Sequence, residues 1–358
     1  MVIGIDARGA TEERAGRGRV QRELIAALGE RRDEHEYVLV CRRPGDPVPS
    51  RLRWLPLDGP DVVWHLKAAR AANRLCDVYL STGSYLTAWF TRTPTVLLIH
   101  DLVPFLPGAR GRRRSVAIER ATLPLALRRA AGLMSISEST ARDLGARFPA
   151  TAGRAVVAPL AADASFRPEP QPEDEAVRAR HGIAGRYVLG VGTLEPRKNL
   201  VRLVEAFASL ESPDWRLVIV GPLGWETGES WAALNRHPDR VLTVGHVPDE
   251  DLPAIYRGAD LFAYPSLYEG FGLPVLEAMA CGTAVLTSNV SSLPEVGGDA
   301  ALYVTPTDTR SIAEGLRLAI SDPDLRHRLG EEGARRAREF SWSRFAAITV
   351  ATLERVAR

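Results

Sequence analysis

The chain has 358 residues, a length at which a single hydrophobic core usually gives way to two domains. Its hydrophobic content of 45% and charged content of 25% are those of an ordinary globular protein, and the near balance of 46 basic and 44 acidic residues gives no argument for nucleic-acid binding. No run reaches the length of a membrane span, and the first ten residues predict a short apolar strand instead of a signal peptide. The three scattered cysteines, Cys41, Cys76 and Cys281, lack metal-ligand spacing and predict reduced thiols in a cytoplasmic protein.

In the first half, short apolar runs alternate with helical patterns, which predicts a parallel sheet with helices on both faces. The predicted strands are Val2–Asp6, Tyr37–Cys41, Arg53–Leu57, Val78–Ser81, Thr95–His100, Leu133–Ser137 and Ala155–Ala158. The predicted helices are Val20–Gly29, Val62–Leu75, Arg114–Ala131 and Glu138–Arg147.

The second half repeats this alternation, so the chain is predicted to be α/β, with two doubly wound parallel-sheet domains. Its predicted strands are Tyr187–Val191, Arg216–Val220, Val241–Val244, Leu261–Tyr264, Ala284–Leu286 and Leu302–Val304. Its predicted helices are Leu200–Leu210, Ser230–Arg236, Asp249–Tyr256, Pro274–Ala280, Arg310–Ile320 and Arg326–Glu339.

A linker leading into a surface helix is predicted at residues 166–184, where prolines cluster and a charged stretch follows. The expected domains are therefore residues 1–168 and 169–340. The remaining segment, residues 341–358, carries an apolar stripe at roughly helical spacing that needs a surface to cover. The stripe consists of Trp342, Phe345, Ile348, Leu353 and Val356.

The stretch YEGFGLPVLEAMACGTAVLT places two carboxylates, Glu269 and Glu277, around a glycine-rich turn. Gly270 and Gly272 allow main-chain amides to approach a ligand, and Pro274 suits the first turn of a helix. Amides at a helix N-terminus beside a carboxylate suit a ligand with both phosphate and hydroxyl groups, such as a nucleotide sugar. The alternative is a solvated helix face at an ordinary strand–helix junction.

A second constellation, GTLEPRKNL, follows the strand Tyr187–Val191. Gly192 and Pro196 predict a turn, and Asn199 is placed to cap the next helix. Arg197 and Lys198 offer adjacent cations there, which would stabilise charge on a diphosphate leaving group. Surface cations before a helix are the alternative.

Weaker signals occur at other strand ends, where open α/β sheets bind ligands. Gly16 and Gly18 precede a helix, but they lack the dinucleotide fingerprint and could form only a flexible loop. His100 and Asp101 end a strand, a position where histidine is often simply packed. Ser137 leads into a helix, and N-capping by it or by Ser139 explains most of that motif.

Taken together, these strings resemble the retaining glycosyltransferases of family four, whose GT-B fold has two facing Rossmann-like domains and a C-terminal helix that crosses back to the first. The likeness covers nearly the whole chain. It is most specific in GTLEPRKNL and EGFGLPVLEAMACGTAVLTS, and it continues in LLIHDLVPFLPG, SISESTARDL and VGHVPDEDLPAIYRGADLFAYPS.

The resemblance implies a role for each matching position. Arg197 and Lys198 would bind the donor diphosphate, Glu269 would hold the donor sugar, and Glu277 would accept from the ribose hydroxyls. His100 would lie beside the donor sugar. The implied donor-binding backbone and loop positions are Gly16, Gly18, Gly192, Thr193, Gly245, His246, Val247, Gly270, Phe271, Gly272 and Leu273. Many members carry arginine where this chain has Thr193, which leaves Arg197 and Lys198 as the local cations.

Acceptor binding is assigned to loops of the first domain, around residues 81–90 and 105–114. Asp101, Tyr85 and Ser137 are the candidate acceptor contacts. The rings of Tyr85, Trp89 and Phe90 could either stack on a sugar or lie in the core. The basic run Arg110–Arg114 is an ordinary solvated loop or a contact with anionic lipid or a phosphorylated acceptor.

The expected activity is retaining, metal-independent transfer of a hexose to a glycan, lipid-linked or small-molecule acceptor. The best assignment of the donor is GDP-mannose, and a UDP-sugar is the less favoured one. No cofactor is expected, because cations and helix amides would replace a metal. The expected location is the cytoplasm, with peripheral membrane contact through Arg110–Arg114. Alternatives are a nucleotide-sugar epimerase or hydrolase and a non-catalytic nucleotide-sugar-binding protein; the missing fingerprint disfavours a dehydrogenase.

Overall fold

The computed structural model describes residues 1–12, 16–106, 113–224 and 228–358. The chain forms two compact units, one of Met1–Leu160 with Ser341–Arg358 and one of Ala161–Phe340. The side chains of the basic run Arg110–Arg114 lie outside the described part. No helix within that part is long and apolar enough to cross a membrane.

The first unit contains a sheet of seven strands that are all parallel in their described pairings. In chain order the strands are β1 Val2–Asp6, β2 Glu36–Cys41, β3 Leu52–Pro56, β4 Val78–Ser81, β5 Thr95–Ile99, β6 Gly132–Ser135 and β7 Ala155–Val157. Their order in space is β3-β2-β1-β4-β5-β6-β7. The order reverses between β1 and β4, which is where doubly wound sheets open a crevice at their carboxyl ends.

Helices flank this sheet. They are α1 Arg8–Glu12, α2 Arg17–Glu30, α3 Asp61–Leu75, α4 Thr87–Phe90, α5 Arg113–Arg129 and α6 Glu138–Arg147. The five inner strands are buried almost throughout because both faces of a parallel sheet are covered, whereas the edge strands β3 and β7 are largely half-buried.

The second unit repeats the design with six strands. They are β8 Arg186–Val191, β9 Trp215–Val220, β10 Val241–Gly245, β11 Leu261–Tyr264, β12 Val285–Ser288 and β13 Leu302–Val304, in the order β10-β9-β8-β11-β12-β13. The helices are α7 Asp174–Arg180, α8 Leu200–Ala208, α9 Gly228–Leu234, α10 Leu252–Arg257, α11 Leu273–Ala280, α12 Leu293–Gly297, α13 Thr309–Ser321 and α14 Pro323–Ala337. The order reverses between β8 and β11.

The last helix, α15 Trp342–Ala357, belongs to the first unit, where it packs on α2 and on the β4–β6 part of the sheet. Phe345, Val350 and Leu353 are buried there. The buried hydroxyls of Thr349 and Thr352 donate to carbonyls one turn back in the same helix, so neither is left unpaired.

The units divide at residues 160/161, eight positions before the expected boundary at 168/169. The intervening residues pack on the second unit. The ring of Phe166 meets Tyr256 edge-on, and Pro168 lies against the turn at Gly282. Proline content marks where the chain lacks regular structure but not which core such a segment contacts.

All the predicted strands occur, with ends shifted by one or two residues at most. The sequence reading missed the short helices α1, α4 and α12, which have four or five residues each. Such segments span barely one turn and give too little periodicity to detect.

Candidate functional site

The loops that follow β8 and β11 form the candidate site of the second unit. These strands are neighbours in the sheet and flank its reversal of strand order, so the loops after their carboxyl ends emerge side by side. A 3₁₀ turn, Pro196–Lys198, comes from the first loop, and Glu269 from the second. The fold therefore brings Arg197, Lys198 and Glu269 together from positions about seventy residues apart in the chain.

Main-chain hydrogen bonds fix the first of these loops against its neighbours. Gly192 N donates to Val220 O at 2.9 Å, Leu194 N to Pro222 O at 2.9 Å, and Gly221 N to Gly245 O at 2.8 Å. A side chain at Gly221, which has φ of +146°, would lie 2.1 Å from Gly192 O. Only glycine permits this approach, and the contact holds the following residues in a rigid loop.

Arg197, Lys198 and Glu269 form one buried ionic cluster. Arg197 Nη1 lies 2.6 Å from Glu269 Oε2, and Lys198 Nζ lies 2.8 Å from Glu269 Oε1. Tyr264 donates its hydroxyl to Glu269 Oε1 at 2.8 Å and accepts from Lys198. Arg197 also donates to Tyr268 O at 2.6 Å and to Glu195 Oε1. The cluster thus holds two cations at the sheet edge, where an anion could compete for them.

Burial and charge act in opposite directions on the pKa of Glu269. Burial raises it, and the nearby charges of Arg197 and Lys198 more than offset that effect and lower it from 4.5 to about 2. Burial lowers the pKa of Lys198, and Glu269 opposes that change. Burial likewise disfavours the Arg197 charge, but Glu269 and Glu195 raise the pKa of Arg197 overall. Glu269 therefore stays ionised at neutral pH, and its negative charge favours the charged forms of Arg197 and Lys198.

The backbone around the cluster adopts unusual conformations. Asn199 and Ser291 are the two residues other than glycine with positive φ in the described part of the chain, at +60° and +55°. Asn199 does not cap α8 as predicted. Its amide donates instead to Pro265 O and Pro306 O at 2.9 and 2.7 Å. The left-handed backbone at Asn199 leaves the side chain free to tie the two loops together. Such conformations concentrate at functional sites.

Serines hold the Glu269 turn in place. Ser291 Oγ accepts from Glu269 N at 3.0 Å, and Ser292 Oγ contacts Glu269 O at 2.9 Å and Phe271 O at 2.6 Å. The turn then enters α11 through Gly272, whose φ is +113°. At the start of α11, Val275 N and Leu276 N donate to Gly272 O, and Pro274 has no N–H. The amides of Gly272 and Leu273 are therefore the ones in this turn that suit an anion.

Glu277 lies on α11, with an exposed fraction of 4%. It is not a solvated helix face, which was the alternative reading. Tyr256 OH donates to its Oε2 at 3.1 Å. Three further positions that the resemblance assigns to donor binding follow β9 in the chain: Gly245 ends β10 with φ of +80°, His246 is exposed and Val247 is buried.

In the first unit, His100 comes directly after β5 and is buried, with an exposed fraction of 5%. Its Nε2 donates to Thr82 O at 2.8 Å, which places the proton on Nε2. Burial lowers the pKa of His100 to about 4, and the Arg17 charge acts in the same direction. His100 is therefore neutral at physiological pH. Arg17 in turn pairs with Glu119 and donates to Gly83 O at 3.3 Å.

The other predicted residues of this unit lie at the same sheet edge or close to it. Gly16, with φ of +59°, precedes α2, whereas Gly18 lies buried inside its first turn because the helix begins three residues earlier than predicted. Asp101 Oδ1 accepts from Val103 N at 2.9 Å. Ser137 caps α6 by accepting from Thr140 N at 3.0 Å, which confirms the capping prediction. Tyr85 is buried in an apolar cluster, so the core alternative holds for its ring.

Sequence reasoning missed Glu195, Tyr264 and Arg17. Tyr264 lies within a predicted strand, and Arg17 pairs with Glu119 far along the chain, so spacing could not identify either residue. Composition singles out Lys198 as well. The chain has only two lysines, Lys67 and Lys198, among 46 basic residues. Lys67 is exposed and pairs with Asp58, whereas Lys198 is buried in the cluster.

Two Rossmann-like units of this topology define the class of GT-B glycosyltransferases, and solved structures share the fold over the whole chain. Sucrose-phosphate synthase from Thermosynechococcus elongatus has a TM-score of 0.79 at 23% identity, covering 99% of this chain and 98% of that one. HepE from Anabaena, in complex with UDP and glucose, has a TM-score of 0.75 at 19% identity, covering 99% of both chains.

Sequence comparisons identify the family. The model for glycosyl transferases group 1 matches residues 173–336. O-antigen chain mannosyltransferase B of Escherichia coli is 32% identical over 308 residues, covering 84% of this chain and 76% of that protein. MMP alpha-(1->4)-mannosyltransferase of Mycolicibacterium hassiacum is 35% identical over 231 residues, covering 62% of this chain and 54% of that protein. The chain belongs to the group 1 glycosyltransferases.

Proposed function

We propose that this glycosyltransferase moves mannose from GDP-mannose to a hydroxyl of a glycan, lipid-linked or small-molecule acceptor, with retention of configuration and without a metal. The observation that carries the proposal is the buried cluster of Arg197, Lys198 and Glu269 at the switch point of the second sheet. Two cations held beside a helix N-terminus suit a diphosphate, and a carboxylate beside them suits sugar hydroxyls.

Catalysis would come mainly from stabilising the leaving group. Negative charge develops on the diphosphate as its bond to the sugar breaks, and preorganised cations that already point there need no reorganisation. Arg197, Lys198 and the amides of Gly272 and Leu273 are the groups that would do this. They also supply the charge that a metal would otherwise bring, which supports metal independence.

Glu269 would change partners during binding. In the free protein its carboxylate neutralises both cations. An incoming diphosphate would take over that role and free the carboxylate oxygens to accept from the sugar hydroxyls. With no separate base required, a phosphate oxygen of the leaving group would take the acceptor's proton on the face it leaves, and the anomeric configuration would be kept.

The choice of mannose rests on the relatives, and the choice of guanosine on the resemblance of the string GTLEPRKN to mannosyltransferases that use GDP-mannose. Both the Escherichia coli and the Mycolicibacterium hassiacum proteins are named mannosyltransferases. Glu277, buried on α11 and hydrogen-bonded to Tyr256, would accept from the ribose hydroxyls, and the segment Gly245–Val247 would lie beside the base.

The test begins with binding. Calorimetry compares the wild type with Lys198→Ala and with Lys67→Ala, the chain's other lysine. GDP and GDP-mannose should bind equally to the wild type and to Lys67→Ala and more weakly to Lys198→Ala, whereas UDP and UDP-glucose should bind only at higher concentration. Equal or stronger effects of the uridine compounds would overturn the guanosine assignment.

Transfer is then measured with GDP-mannose and a panel of mannoside acceptors, with and without EDTA. An α-linked product formed equally in EDTA is expected. A β-linked product would refute retention, and loss of activity in EDTA would refute metal independence. Formation of an epimer or of free mannose at the same rate with and without acceptors would favour the epimerase or hydrolase class instead.

A further inference from the structure

We propose that Glu195 is a positioning residue, the counter-ion that keeps Arg197 aimed at the diphosphate once Glu269 has released it. This inference rests on the proposed function. The resemblance gives Glu195 no role, and in this inference Glu195 does not itself touch the substrate.

Arg197 is held between two carboxylates. Its Nη2 donates to Glu195 Oε1, while Nη1 lies 2.6 Å from Glu269 Oε2 and donates to Tyr268 O at 2.6 Å. The guanidinium therefore has an acidic partner on each of its two terminal nitrogens. A planar fork of this kind keeps its orientation only while both terminal nitrogens remain bound.

The two carboxylates differ in burial and in attachment. The side chain of Glu195 is 2% exposed and that of Glu269 is 9% exposed. Glu195 follows the segment that is fixed by the bonds of Gly192 and Leu194 to the next strand's loop. The backbone of Glu269 is also held, by Ser291 and Ser292, but its carboxylate is the more exposed of the two. Glu195 is thus the more deeply buried partner of Arg197, and Glu269 is the partner more accessible to an incoming anion.

No hydrogen bond among the described residues accounts for the burial of one carboxylate oxygen of Glu195. Its Oε2 is buried without a hydrogen-bond partner among the described residues, as is Nε of Arg197. An ionised carboxylate in such a place is costly, and the Arg197 charge is what compensates it. The Glu195–Arg197 pair therefore adds little to the free energy of unfolding, but it fixes the position of the Arg197 guanidinium at the site.

Binding of a diphosphate is the step at which Arg197 needs Glu195 as its counter-ion. The free cluster balances two cations, Arg197 and Lys198, against two carboxylates. Once phosphate oxygens replace Glu269, only Glu195 and the Tyr268 carbonyl still hold the guanidinium from the protein side. Thr193 adds no third cation to this loop, so the placement of Arg197 and Lys198 limits how well the leaving group is stabilised.

Glu195→Gln tests the inference, because it keeps the shape and one acceptor oxygen and removes the charge. We expect kcat to fall about ten- to a hundredfold, the scale of misplacing a catalytic group by about 1 Å. Binding of GDP should change much less than kcat, because removing a negative charge near the diphosphate favours GDP while the less well placed Arg197 holds it less tightly. Glu205→Gln, an exposed carboxylate on α8, is the control and should leave both unchanged.

A double-variant comparison separates positioning from other effects. If Glu195 acts through Arg197, Glu195→Gln should change kcat little when added to Arg197→Gln. Additive losses would overturn the inference, as would wild-type kcat in folded Glu195→Gln or an equal loss of kcat and GDP binding. If Glu195→Gln does not fold, Arg197→Lys serves instead. It keeps the charge without the fork, and a wild-type kcat there would overturn the inference.

The outcomes also separate the two proposals. A wild-type protein that neither binds GDP nor transfers mannose refutes the proposed function. A wild-type protein that transfers mannose, together with a Glu195→Gln variant of unchanged kcat, refutes only the role of Glu195.

Discussion

Replacing Glu269 by glutamine removes the negative charge between Arg197 and Lys198 and keeps the size of the side chain. In the free protein, both cations would then lie buried without the carboxylate they share. Breaking a buried pair from one side in this way is strongly destabilising, because the remaining charges have no compensation. The variant should therefore be less stable than the wild type.

The pKa of Glu269 gives the size of the effect. It falls from 4.5 to about 2 on folding, and because one pKa unit corresponds to about 1.4 kcal/mol, the ionised carboxylate stabilises the folded state by about 3 kcal/mol at neutral pH. For a unit the size of residues 161–340, such a loss lowers Tm by roughly 6–12 °C.

Adding GDP distinguishes this explanation from a simple packing defect. The diphosphate brings its own negative charge to Arg197 and Lys198, so GDP should raise the Tm of Glu269→Gln more than that of the wild type. Transfer should nevertheless drop at least about a hundredfold, because the sugar hydroxyls lose their acceptor. Calorimetry with and without GDP measures the first effect. A variant with wild-type Tm, and with no larger gain from GDP, would refute the reasoning.

Three further predictions concern single groups. Lys198→Ala should lower kcat at least about a hundredfold while Lys67→Ala, at the exposed lysine, leaves it unchanged; equal effects in a transfer assay would contradict the cluster's role. Glu277→Gln should weaken GDP binding in calorimetry and change kcat little, and a variant that binds GDP normally would remove Glu277 from the ribose site. Acidification should destabilise the two units in different ranges. Burial lowers the folded-state pKa of His65 and of His100 from 6.5 to about 4, so the unfolded state takes up protons first and the first unit loses stability as the pH falls from 6.5 to 4. The pKa of Glu269 is lowered from 4.5 to about 2, so the second unit loses stability as the pH falls from 4.5 to 2. Urea unfolding followed by a probe in each unit measures this, and His100→Gln should flatten the first range.

Most of the fold could be predicted because its signals are local. Parallel strands such as β4 and β11 are continuous apolar runs bounded by turn residues, and their positions were predicted without error. The unit boundary and the one-turn helices were not, since both depend on contacts. Phe166 and Pro168 read as linker, yet their rings pack on the second unit.

The candidate site, like the fold, was predictable from the sequence only in part. Glu269, Arg197 and Lys198 stood out because turn residues surround them at strand ends. Glu195 gave no such signal, because a glutamate before proline is ordinary, and only the fold shows that it is buried against Arg197. Asn199 shows a different limit. Its type and place suggested a helix cap, but its left-handed backbone directs the amide to two carbonyls of other loops.

The return of α15 to the first unit has a consequence for how the protein is made. Residues 161–340 are continuous in the chain, so the second unit can fold while synthesis continues. The first unit lacks the helix α15 until residues 341–358 emerge from the ribosome. A stop codon near position 340 would thus damage the half encoded first. Fragment expression should follow the same asymmetry, with 161–340 accumulating as soluble, folded material and 1–160 prone to aggregate.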